Sequence, residues 1–115
     1  MARKTTAPRA AAIPSPVPAL LERLAKLSGA GAAPERIVRE TEAVLAEWKA
    51  EGLPARDLTE RMEVLRDDLQ GGLESAVEQA GDVSRDDKAG MRGAARVIDG
   101  LRGALSAVRA AMATD

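Results

Sequence analysis

Residues 91–112 read MRGAARVIDGLRGALSAVRAAM. Within them Met91, Ala94, Ile98, Leu101, Leu105, Val108 and Met112 recur at spacings that alternate three and four. An α-helix turns about 100° per residue, so these side chains line one seam, a coiled-coil heptad pattern of three repeats. A second line runs beside it. Gly93, Val97, Gly100, Ala104, Ala107 and Ala111 fall about 110° around from the seam, and five of the six are Gly or Ala. Small side chains let a second backbone come close. The two lines together make an apolar arc of roughly 200°, wide enough for two neighbours. One neighbour is a helix hairpin partner. The other is either another helix of the same chain or a helix of a second subunit or partner protein. The expectation carried forward is the partner interface, formed by Gly93, Val97, Gly100, Ala104, Ala107 and Ala111, with Trp48 as its anchor.

Upstream of this helix the pattern stays helical and punctuated. A third helix spans about 57–80, with Leu58, Met62, Leu65, Leu69, Leu73, Val77 and Ala80 on one face. Asp57 and Glu60 have capping-box spacing at its start. Gly71-Gly72 interrupts it, yet the apolar register continues across the pair, so a continuous helix is expected. Gly81-Asp82-Val83 makes a short turn, and Ser84 with Asp87 repeats the capping arrangement for helix four. Helices three and four should therefore form a long antiparallel hairpin. A second helix spans about 34–51, with Pro34 at its first position and Ile37, Thr41, Val44 and Trp48 on its inner face. Gly52-Leu53-Pro54 stops it. A short first helix, about 19–27, carries Leu20, Leu21, Leu24 and Leu27, and Ser28-Gly29-Ala30-Gly31 ends it. No strand pattern competes. The fold class is all-α, a small helical bundle over 19–115.

Residues 1–18, MARKTTAPRAAAIPSPVP, carry Arg3, Lys4 and Arg9 and no acid. Alternating prolines favour an extended, polyproline-II-like segment, so this is a flexible basic arm or a tether that orders on a partner. An organellar targeting peptide is the other reading of an acid-free, Arg-bearing start. The default location is cytoplasmic, because no apolar run approaches the ~20 residues of a membrane span.

Composition narrows the chemistry. The 115 residues contain no His, Cys, Tyr or Phe and one Trp. That excludes zinc fingers, thiol nucleophiles, disulfides and triads with a His base, and it removes Tyr and Phe stacking platforms. The serines have no paired base, and Gly29-Ala30-Gly31-Ala32-Ala33-Pro34 follows a helix where a dinucleotide loop needs a strand. No enzyme, cofactor or metal site is expected. Leu, Ile and Val supply only 23 residues against 24 Ala, and so thin a core favours oligomerisation.

Two charged features remain. Helix three carries Glu60, Glu63, Asp67, Glu74 and Glu78 opposite its apolar face; helix four carries Arg85, Lys88, Arg92 and Arg96 near its start. Both read as solvated faces. The cations also support an alternative, a nucleic-acid accessory protein contacting phosphate through Arg3, Lys4, Arg9, Lys88, Arg92 and Arg96. The net charge of −1 does not favour it. The leading expectation is a non-enzymatic interaction or assembly protein, a homo-oligomer or a partner-binding module, acting through helix faces.

Overall fold

The computed structural model describes residues 15–113, which form four helices: α1 (Val17–Gly29), α2 (Pro34–Ala50), α3 (Ala55–Ala80) and α4 (Lys88–Ala113). Ser15 Oγ accepts from Val17 N–H at 3.2 Å, so α1 begins inside the last residues of the expected arm. Arg3, Lys4 and Arg9 lie outside the described residues.

The helix ends follow local chemistry. Gly31 closes α1 with φ +83°; its N–H reaches Ser28 O, and Ala32 N–H reaches Leu27 O, both at 3.0 Å. This paired closure satisfies carbonyls that α1 leaves open, and it needs a left-handed residue. Gly52, with φ +76°, takes the same left-handed conformation after α2.

Two expected caps fall elsewhere. α3 starts at Ala55 behind Pro54, with no side-chain cap, and Leu58 N–H bonds Pro54 O at 3.1 Å. Asp57 instead lies in the first turn, where its carboxylate faces the positive end of the helix dipole. Helix α4 starts at Lys88, and its cap is Asp87: Oδ1 accepts from Gly90 N–H at 2.8 Å. Gly90 has no Cβ, which leaves that carboxylate room over the first turn. Ser84 shapes the preceding turn, its Oγ accepting from Asp86 N–H at 3.3 Å.

Helix α4 is the element on which the others pack. α3 runs antiparallel along its heptad seam, as the hairpin requires. α2 packs on the small-residue side, with Ile37 over Gly100 and Val38 over Gly103. Its later turns, at Leu45 and Ala46, lie beside Ala107, Ala110 and Ala111, so α2 and α4 run in the same direction. α1 crosses against α2, α3 and α4. The core contains Val17, Leu20 and Leu24 from α1, Ile37, Val44, Leu45 and Trp48 from α2, Met62, Leu65 and Leu69 from α3, and Ala104, Leu105 and Val108 from α4. Thr41 is the one polar residue among these buried positions, and its hydroxyl donates to Ile37 O at 2.9 Å. That bond one turn back removes the cost of an unpaired buried hydroxyl.

The glycines divide into two kinds. A Cβ built on Gly100 would lie 3.2 Å from Ile37 Cγ1, and one on Gly103 would overlap Val38 Cγ2. A Cβ on Gly71 or Gly72 meets nothing within 4 Å, and α3 runs unbroken through both. Gly71→Ala and Gly72→Ala should therefore each stabilise the fold by about 0.5–1 kcal/mol in chemical denaturation. Gly100→Leu should instead destabilise it by about 1–3 kcal/mol through overpacking against Ile37.

Candidate docking face on the helical hairpin

Ile37, the fourth residue of α2, lies over Gly100 and the two helices run the same way, so α2 begins level with about residue 97. The first nine residues of α4 therefore extend past it by about 13 Å at 1.5 Å per residue. The end of α3 and the turn at 81–87 project with them. From residue 70 to residue 99 no side chain is buried. The apolar pattern nevertheless continues, as Leu73, Ala76, Val77, Ala80 and Val83 on one limb and Met91, Ala94, Val97 and Ile98 on the other. Two helices alone bury only the line along which they touch. Val77 and Met91 are each 47% exposed, although both were expected on the inner faces of the hairpin.

This tip has two sides. One side opens toward α1 as a groove of about 400 Å³, lined by Leu21, Leu24, Gly72, Val97 and Leu101 among others. It continues outward into a shallower hollow of about 170 Å³ between Ala76, Ala80, Val83 and Ala94. The other side is a strip formed by Leu73, Val77, Met91 and Ile98. At 100° per residue, Val77 lies about 140° around α3 from the groove residue Gly72, and Met91 about 120° around α4 from Val97. Gln70 and Arg109 meet on the strip's side, with Arg109 Nη2 donating to Gln70 Oε1 at 3.4 Å.

Charge borders the strip asymmetrically. Between Asp67 and Ser84 there are five acids and no Lys or Arg, while 85–102 holds five cations and three acids. Around α3, Glu74 and Glu78 lie about 60° and 100° beyond Val77; around α4, Lys88 and Arg92 lie about 60° and 100° beyond Met91. All four are exposed. Asp99, about 80° beyond Met91, is the one acid on that edge, while Arg102 lies only about 20° beyond Met91, at the far end of the strip. The ion pairs among the described residues, Arg23–Glu40 at 2.7 Å, Arg61–Glu51 at 3.2 Å and Arg66–Asp67 at 3.0 Å, include none between the two limbs of the tip.

The residues singled out in the sequence separate into groups. Gly100, Ala104 and Trp48 are buried by the chain's own helices, which corrects their assignment to a partner interface. Trp48 is 2% exposed, with the Arg61 guanidinium 5.3 Å from its ring centroid. It therefore packs α2 onto the rest of the bundle. Ala107 and Ala111 are half-buried beside α2. Gly93 stands clear, with nothing within 4 Å of where its Cβ would be, and Val97 lines the groove beside α1. Of the phosphate candidates, Lys88 and Arg92 are exposed on the tip, and Arg96 lies against the α1–α2 loop near Gly31. Val77 and Met91 were missed as surface because their spacing is that of a core, whereas Leu73 and Ile98 beside them are partly buried and Leu73 packs against the core. The shorter span of helix two, about 34–51 against more than twenty residues in helix four, was the available signal.

Among the described residues no three acidic side chains gather where they could hold a metal ion, and no helix is long and apolar enough to cross a membrane. Comparison with protein-family models, with curated proteins and with solved structures finds no match to this chain.

Along one heptad seam, then, Leu105 is buried and Met91 is half open. Leu105→Ala should cost about 2–5 kcal/mol in urea unfolding of dilute protein. Met91→Ala should cost under about 1 kcal/mol, since about half of its side chain is already open to water.

Proposed function

We propose that this chain is a non-enzymatic helical interaction module whose docking surface is the projecting α3–α4 tip. The observation that carries this reading is the run of residues 70–99 with a core-like apolar pattern and no buried side chain. A stretch patterned for burial, left half exposed and bordered by charge, has the anatomy of a recognition face with an apolar centre and a polar rim. The body supports it: α1, α2 and the lower halves of α3 and α4 form a packed base from which the tip projects. A partner helix could add to the tip without disturbing that base, which is the helix-in-groove mode of recognition.

Photo-crosslinking tests this directly. A photoreactive amino acid replaces Val77 or Met91 on the tip, or Ala43 on the exposed side of α2, in the full chain expressed in its native cells. The tip positions should give discrete protein adducts, and Ala43 should give none of them. Equal adduct patterns from all three positions would contradict the proposal. So would adducts that disappear on nuclease treatment, since these would report a polynucleotide on the tip cations.

A further inference from the structure

We infer that the occupant of the tip strip is a second copy of this chain, paired about a two-fold axis running along the hairpin. This rests on the proposal that the tip is a docking face, and it names what docks. Charge complementarity selects this occupant. The strip of Leu73, Val77, Met91 and Ile98 has an acidic edge on α3, from Glu74 and Glu78, and a basic edge on α4, from Lys88 and Arg92. No ion pair joins the edges across the strip within one chain, among the described residues. A partner of a single charge sign would match one edge and be repelled by the other.

A second copy matches both. A two-fold axis lying in the strip and parallel to the helices turns one hairpin face down on the other. It places α3 of each copy over α4 of its mate, so each acidic edge meets a basic edge twice over. Such an interface is isologous and closed, which ends association at two chains. The paired tips make a four-helix arrangement in which the half-open apolar residues become its core. In this arrangement Asp99 is the one like-charge mismatch on the basic edge. The strip supplies the affinity and the edges supply the register, because exposed ion pairs contribute little each but penalise wrong pairings.

The experiment is sedimentation velocity on the full chain, from low to high micromolar concentration, at low and at high salt. Wild type should move from one to two chain masses as concentration rises. Val77→Glu and Met91→Glu should each remain at one chain mass with an unchanged helical circular-dichroism spectrum, since both positions are half exposed. The edge reversals Glu74→Lys with Glu78→Lys, and Lys88→Glu with Arg92→Glu, should each weaken dimerisation by about tenfold or more. All four changes in one chain should restore it. A wild-type chain that stays single at every concentration would overturn the second copy. Discrete adducts to another protein at Val77 or Met91 would in that case leave the docking proposal standing. A dimer indifferent to Val77→Glu and Met91→Glu would overturn the strip. A dimer lost only when residues 1–14 are removed would assign the contact to that segment and overturn the inference. A four-fold variant that stays single would overturn the two-fold register.

Discussion

The seating of Ile37 and Val38 on Gly100 and Gly103 is the contact on which the rest of this structure depends. A glycine inside a helix costs roughly 1 kcal/mol relative to alanine. Here the missing Cβ atoms let α2 approach α4 closely enough to bury Ile37 and, further along, Leu45 and Trp48. Full burial of one such aliphatic side chain is worth about 1.5–3 kcal/mol, so the exchange favours the close approach. The contact also fixes where α2 begins along α4, and hence where the packed body stops.

What lies beyond that point follows from length. α2 has 17 residues and α4 has 26, so a helix whose fourth residue lies over Gly100 leaves the first turns of α4 uncovered. The heptad seam does not weaken there. Met91, Ala94 and Ile98 keep the spacing of Leu101, Leu105 and Val108, and α3 answers with Leu73, Ala76 and Val77. A single sequence pattern therefore has two fates. In the body it is core; on the tip it is surface with the composition of core. The thin supply of Leu, Ile and Val makes that division sharper, because a chain with few large apolar residues leaves some of them half exposed.

The helices, their order and the α3–α4 hairpin were legible in the sequence because Gly and Pro punctuate runs of clean helical periodicity. Continuity through Gly71-Gly72 was legible for the same reason. The capping residues were harder. Ser84 and Asp87 both offer an oxygen acceptor, and the choice of Asp87 rests on the space that Gly90 leaves for its carboxylate. The candidate site was hardest. The small-residue line correctly marked where a helix comes close, but which helix fills it is a question of register between distant segments. Gly103 escaped notice because it lies about 60° around the helix from Gly100. α2 tracks across the surface of α4 and does not follow one straight line. Val77 and Met91 carried no sign of exposure in their own spacing; only the relative lengths of α2 and α4 did.

α4 changes role at Gly100, the first of its buried residues, from one limb of an unpartnered hairpin to a helix packed on two sides. Amide hydrogen exchange along α4, measured residue by residue in dilute protein, tests it most directly. Residues 101–112 should exchange only through opening of the whole body. Residues 90–98 should exchange at least about tenfold faster through local opening of the tip, with the change falling at Gly100. Uniform protection along α4 in dilute protein would contradict the account.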